Sequence, residues 1–413
     1  MIRKYIKPTV IIFVLCILVS IFMGEHATAI TQNPLPKSII NNFGKDPRIS
    51  RNFTWYTDTS IKKSILEYSV KDKFYGFDKT NIVRVTAQSH EVKTNSDKRE
   101  IHKVELINLI PGTEYIYRVR NDKGGFSSQG VFKTAEQNLQ KFTFVNITDT
   151  QGTTSKDYTL WKNTLDKALG KFPDARFLLH TGDMEDSGQN IYQWDLFANA
   201  VKDELMNIPI APVVGNHETI NNNKTNPNAK NFTDRFDIYK EQNTGAPAGT
   251  VYSFDYGNAH IAVMNTQSGS TNLKKQADWL LSDMSKTHKL WKIVALHRGP
   301  YGATYDTTDI RKAWVSVFDQ LGIDLVLQGH DHNYVRSYPM KNNVKVKAGE
   351  GTVYVGGNTG GVKFYPRKLR PWQALDLQPY TQMYVAVTVD NHKMTIGAYD
   401  VKNKLQDSFS LEK

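Results

Sequence analysis

Phe142-Thr143-Phe144-Val145-Asn146-Ile147-Thr148-Asp149-Thr150-Gln151 decides how the larger part of the chain is read. Its apolar, partly β-branched first half is a buried strand, and it breaks off into a carboxylate and an amide. The pattern recurs four times downstream. Phe177 to Leu179 runs into Gly182-Asp183, and Ile210 to Val214 into Gly215-Asn216-His217-Glu218. Ile293 to Leu296 runs into His297-Arg298, and Leu325 to Leu327 into Gly329-His330-Asp331-His332. Helical segments separate the strands: Tyr158 to Leu169, closed by Gly170 and Pro173, and Thr308 to Leu321, stopped by Gly322. Strands alternating with helices predict an α/β domain, and in such sheets ligands gather at the carboxyl ends of the strands.

A single Gly-Asp or His-x-His is ordinarily a turn or a satisfied polar group. Five ordered clusters at five strand ends, all of oxygen and imidazole type, point instead to one converging site. Thiolate ligands are excluded because Cys16 is the sole cysteine and lies in a segment read as removed. Carboxylate, imidazole and amide oxygen suit hard or borderline ions.

Working outward, the residues before Lys141 change character. From Ile49 to Thr134 short runs alternate apolar and polar residues between turn signals, as in Thr54 to Thr57, Ser64 to Tyr68, Val83 to Thr86, His102 to Leu106 and Tyr115 to Val119. This predicts an all-β sandwich over 48–135, ahead of an α/β domain over 140–413. A chain of 413 residues exceeds what one core usually supports, which agrees with two domains. Leu109 to Tyr115 resembles the corner of a fibronectin type III or immunoglobulin-like module, where a tyrosine hydroxyl ties a strand to a neighbouring loop. No catalytic residue is assigned to this module. Residues 30–47, rich in Asn, Pro and Lys, read as a linker, and Asn221 to Asn231 as a loop-like insertion. Val385 to Val389 and Lys393 to Ala398 read as an antiparallel pair near the end of the chain.

The first 29 residues have a basic start with Arg3, Lys4 and Lys7, an apolar run from Val10 to Met23, and Ala27-Thr28-Ala29. That is the layout of a secretory signal peptide, and the apolar run is short for a bilayer span. A secreted, extracellular protein with no later membrane-spanning segment is expected. Removing this segment takes away Arg3, Lys4, Lys7 and Glu25, which lowers the net charge from +11 to +9. A basic balance favours anionic partners, cell-wall polymers among them, without choosing between them. No specific nucleic-acid binding is expected.

The order Asp149-x-Gln151, Gly182-Asp183, Gly215-Asn216-His217-Glu218, His297 and Gly329-His330-x-His332 resembles the calcineurin-like metallophosphoesterases, and among these the purple acid phosphatases with an N-terminal fibronectin-like module. The resemblance runs from about residue 49 to 411. It implies two β-sheets flanked by helices and a two-metal centre at their edge. Asp183 would bridge the ions, one also taking Asp149 and His332, the other Asn216, His297 and His330. The ions would be iron, manganese or zinc, with calcium or magnesium also compatible. A water between two such ions would lose its proton near neutral pH and attack phosphorus in line. His217 would touch substrate or protonate the leaving group, with support of neighbouring ligands as its other role. Arg298 could clamp phosphate or form a structural salt bridge. Tyr334 and Arg336 are read as structural.

This chain departs from that pattern in two places. The purple acid phosphatases bind ferric iron through a tyrosine three residues after the bridging aspartate, where this sequence has Asp186. Other metallophosphoesterases place a histidine two residues after the first aspartate, where Gln151 stands. Gln151 is therefore a candidate, weaker ligand, with Asp186 or water as the alternatives. The expected activity is hydrolysis of phosphate monoesters. A phosphodiesterase or nucleotidase on the same residues is the first alternative, and a non-catalytic, wall-associated, anion-binding protein the second.

Overall fold

The computed structural model describes residues 35–221, 224–225 and 229–413, so the segment read as a signal peptide and part of the Asn-rich insertion lie outside the described residues. The first elements form a sandwich of two four-stranded antiparallel sheets. One is ordered Lys37–Phe43, Arg51–Thr57, Lys98–Leu106, Gln88–Lys93, and the other Val83–Thr86, Ser64–Val70, Glu114–Asn121, Gly130–Lys133. Between them lie Phe53, Trp55, Leu66, Val104, Tyr117 and Phe132. The Ile110 amide donates to the Tyr115 hydroxyl at 2.8 Å, the tie expected of that corner.

Every residue of Arg51–Thr57 is buried, because its two faces meet different partners. Phe53 and Trp55 point into the sandwich. On the other face Asn52 donates to the Asp237 carbonyl at 3.0 Å, and Tyr56 lies under the Arg235 guanidinium. Residues 30–47 are not all linker. Lys37–Phe43 pairs with Arg51–Thr57, and Phe43 packs against Phe177 and Phe254. The polar composition of this stretch hides the strand: Asn41 and Asn42 are buried and donate to the carbonyls of Met206 and Ile210.

The rest of the chain holds two larger sheets. The six-stranded sheet is ordered Ile210–Pro212, Ala175–His180, Lys141–Ile147, Met383–Asp390, Lys393–Asp400, Leu405–Glu412. Its first three strands are parallel, and the last three fold back antiparallel. In the seven-stranded sheet Ala259–Val263, Trp291–Arg298, Leu325–Gly329 and Val353–Gly357 run parallel. One apolar core joins both, with Phe144, Val145 and Leu178 from the first sheet and Ile261, Ile293 and Leu325 from the second. Helix Ser155–Lys171 contributes Trp161 and Leu165 to that core. Helices Ser270–Met284 and Thr308–Leu321 bury Leu280, Trp314 and Phe318 against Val294, Leu296 and Val326 of the second sheet. The result is a two-sheet α/β domain with helices outside, preceded by a β-sandwich. Parallel strands from both sheets bring their carboxyl ends to one edge.

Candidate metal centre

The ends of five strands meet there, and the turns that follow three of them have unusual backbones. Asp149, Asp183, His330 and His332 all have left-handed φ, between 51° and 77°. Such conformations cost about 1–3 kcal/mol each for residues with a side chain and persist where surrounding contacts enforce them. Gly182, at φ 95°, and Gly215, pressed against the Asp183 carboxylate, occupy positions where a Cβ would not fit. Glu218 is the clamp. Its buried carboxylate accepts from the amides of Gly215 at 2.5 Å, Met184 at 2.6 Å and Asp183 at 3.0 Å. Burial and the neighbouring Asp183 charge push this carboxyl up to about 7, while the Met184 and Asp183 amides oppose the shift.

The histidines are set by their far nitrogens. His297 Nδ1 lies 2.8 Å from the Thr181 carbonyl, His332 Nδ1 3.1 Å from the Lys363 carbonyl, and His217 Nδ1 2.7 Å from the Asp186 carbonyl. A carbonyl only accepts, so each Nδ1 carries the hydrogen and each Nε2 is turned to the cleft. His297 Nε2 stands 3.1 Å from Asp183 Oδ2 and 3.1 Å from Asn216 Oδ1. His332 Nε2 stands 3.2 Å from Asp149 Oδ1. Ligand atoms of Asp183, His297 and His330 lie within 4.8 Å of one another, as do those of Asp149, Asp183 and His332. Asp183 belongs to both groups.

So many acceptor atoms facing one another call for a positive charge between them. Burial works against charge on Asp183, yet His297 beside it holds the carboxyl well below the usual carboxylate range. Burial also works against a charged His297, but the Asp183 carboxylate raises it to about 10, a proton serving where a cation would. His330, with burial and His297 both against its charge, is pushed down to about 3 and is a neutral imidazole. The donor set of buried carboxylates, imidazoles and an amide oxygen therefore fits two borderline cations sharing Asp183.

Gln151 is buried at the same point. Its amide nitrogen is satisfied when it donates to the carbonyls of Asp149 at 3.2 Å and Asp183 at 3.3 Å, which turns the side-chain oxygen towards His332. Asp186 is engaged elsewhere, its carboxylate 2.6 Å from Lys363 Nζ. His217 Nε2 faces Asp183 Oδ2 at 3.9 Å. Arg298 sits at the rim, its guanidinium 3.2 Å from Asp309. Arg336 pairs with Asp407 at 2.7 Å, and Tyr334 donates to the same carboxylate, the structural role read for both. Four neighbours escaped the sequence reading: Tyr305, Asp331, Lys363 and Tyr365. Asp331 lies between the two histidines of Gly329-His330-Asp331-His332 and carries that local signal, whereas nothing local marks the other three.

Residues 142–334 match the family described as calcineurin-like phosphoesterase, and residues 36–134 match the purple acid phosphatase N-terminal domain. The chain thus carries a calcineurin-like metallophosphoesterase domain. With the N-terminal domain before it, the arrangement is similar to that of the purple acid phosphatases. It is 23% identical over 346 residues to an uncharacterised protein of Mycobacterium tuberculosis, covering 72% of this chain and 61% of that one. It is 26% identical over 329 residues to acid phosphatase type 7 of Mus musculus, covering 70% of this chain and 72% of the relative. The chain therefore spans less than two thirds of the mycobacterial relative. In fold it is similar to a purple acid phosphatase from yellow lupin (Lupinus luteus) seeds, with a TM-score of 0.78 at 19% identity, over 92% of this chain and 74% of that one.

Proposed function

We propose that this protein hydrolyses phosphate esters, monoesters before diesters, with two cations held in the cleft. One would be held by Asp149, Gln151, His332 and the shared Asp183, the other by Asn216, His297, His330 and Asp183. The observation that carries this reading is the sharing of Asp183 between two groups of ligand atoms. Iron, manganese or zinc suit the donors best. When bound, the pair supplies Lewis acidity, which lowers the pKa of water and offsets negative charge on phosphoryl oxygens.

The chain's own residues do the rest. The carbonyl-bound Nδ1 hydrogens keep the imidazoles of His297 and His332 in one tautomer and one orientation, so the site needs little rearrangement to load. His217 keeps its Nδ1 hydrogen on the Asp186 carbonyl, which leaves Nε2 as the atom that can hold a proton for a departing alkoxide. Arg298, tied to Asp309, would add charge at the rim once phosphate competes for its guanidinium.

The test is metal analysis of the purified protein with turnover of an aryl monophosphate and a bis-aryl phosphate. About two equivalents of metal and faster monoester cleavage are expected. A protein inert to both esters after loading with manganese, zinc or iron would be the anion-binding alternative, and a strong diester preference would reverse the order of substrates. Asp183→Asn should lose at least about a hundredfold in turnover while keeping its circular dichroism spectrum. The N-terminal segment supports secretion, tested by recovering the protein from culture medium with its N-terminus near Ile30. Among the described residues no helix is long and apolar enough to cross a membrane.

A further inference from the structure

Two tyrosines stand against the histidines of the cleft. The Tyr305 ring lies with its centroid 4.5 Å from that of His330, and the Tyr365 ring 4.4 Å from His332. The rings meet edge to face, 6.0 Å apart at 85°. Neither is held by chance. The buried Asp331 carboxylate accepts from the Ala303 amide at 2.9 Å and the Tyr305 amide at 2.8 Å. Arg370 donates to the carbonyls of Ala303 and Thr304, each at 3.0 Å, and Trp372 Nε1 to Gly302 at 2.7 Å. Gln378 Nε2 donates to the carbonyls of Tyr365 and His332, both at 2.7 Å. Yet Tyr305 remains 42% exposed. A large ring on a backbone fixed by these bonds and packed against its neighbours, with open surface, can stack on a planar group at a small cost in side-chain freedom.

We propose that Tyr305 and Tyr365 form a subsite for the planar, aromatic leaving group of a phosphate ester, with Tyr305 as the stacking surface and Tyr365 as the edge that stops it. This rests on the phosphoesterase reading for its substrate class. A leaving group joined to phosphorus through one oxygen would lie only a few bonds from a phosphate held beside His330 and His332, and the two tyrosine rings contact those imidazoles. A saturated group of equal size gains contact area there but no ring-to-ring electrostatics.

The experiment is calorimetric binding of phenylphosphonate and cyclohexylphosphonate to the metal-loaded full chain, which reads the subsite without turnover. The wild-type protein is expected to bind the phenyl compound about tenfold more tightly. Tyr305→Leu should bring that ratio near one and Tyr305→Phe should keep it, while the kcat/KM ratio of phenyl over cyclohexyl phosphate moves in parallel and mainly through KM. Equal affinities in the wild-type protein overturn the proposal whether or not the variants fold, and so does an unchanged ratio in a folded Tyr305→Leu. If the wild-type protein prefers phenylphosphonate but hydrolyses no ester, the subsite stands and the phosphoesterase reading falls.

Discussion

At Asp183 the unfavourable φ is sustained by hydrogen bonds to the turn backbones around it, and Glu218 accepts three of these, from the amides of Asp183, Met184 and Gly215. Removing its carboxylate leaves buried amides without an acceptor, at about 1–3 kcal/mol each. Glu218→Ala should therefore lower the melting temperature and weaken metal retention together. A variant that melts within about 2 °C of the parent would show that the turns hold their shape unaided. His217 makes a different prediction. If its Nε2 protonates the leaving oxygen, His217→Gln should slow alkyl phosphates by about 10²–10⁴-fold and spare nitrophenyl phosphate, whose leaving group needs no proton. Equal losses on both would assign His217 to orienting phosphate or its neighbours instead.

Between elements, the clearest electrostatic joint lies away from the cleft. His260, on strand Ala259–Val263, is held between Asp255 of the neighbouring strand at 2.7 Å and Asp283 of helix Ser270–Met284 at 2.8 Å. Burial works against its charge, but the two carboxylates raise it to about 9. Lys289 also faces Asp255, at 3.8 Å, and Ser253 donates to Asp283 at 3.0 Å. Because the folded value lies above the ordinary histidine value near 6.5, the contribution is complete below about pH 6.5 and fades as pH rises through 9. It is on the order of 2 kcal/mol once the half-exposed Asp255 is allowed for. His260→Gln should accordingly destabilise the protein more at pH 6 than at pH 10, as read by denaturant melts at both. A loss independent of pH would mean that packing, and not charge, is what His260 supplies.

At the scale of the whole molecule the sandwich is built into the domain that follows it. Tyr117 donates to the Met206 carbonyl at 2.8 Å, Arg99 pairs bidentately with Asp195 at 2.7 Å, and Phe43 sits among Phe177, Phe254 and Tyr256. A chain that begins at Gln137 would bare this aromatic surface and leave the Asp195 and Met206 acceptors open. Such a chain is expected to be insoluble or to melt well below the full protein. A soluble, fully active fragment would show that the sandwich is an independent attachment.

Much of this was legible along the chain. Strand ends carrying oxygen and imidazole ligands could be read because a parallel strand buried on both faces is apolar throughout, and because a turn that faces ions must change residue type abruptly. The Tyr115 corner and the helix Thr308–Leu321 were readable for the same local reasons. Strand Lys37–Phe43 was hidden, since Asn41 and Asn42 satisfy their amides across an interface that no local pattern reports. Asp186 stands where a ligand is usual, but only the folded chain pairs it with Lys363, 177 positions away. Sequence by itself determined which residue types could gather at the sheet edge. Tertiary structure decided which nitrogen of His217, His297 and His332 faces the cleft, and that two distant tyrosines stand against His330 and His332. Those are facts of orientation, set by hydrogen bonds between segments remote in sequence.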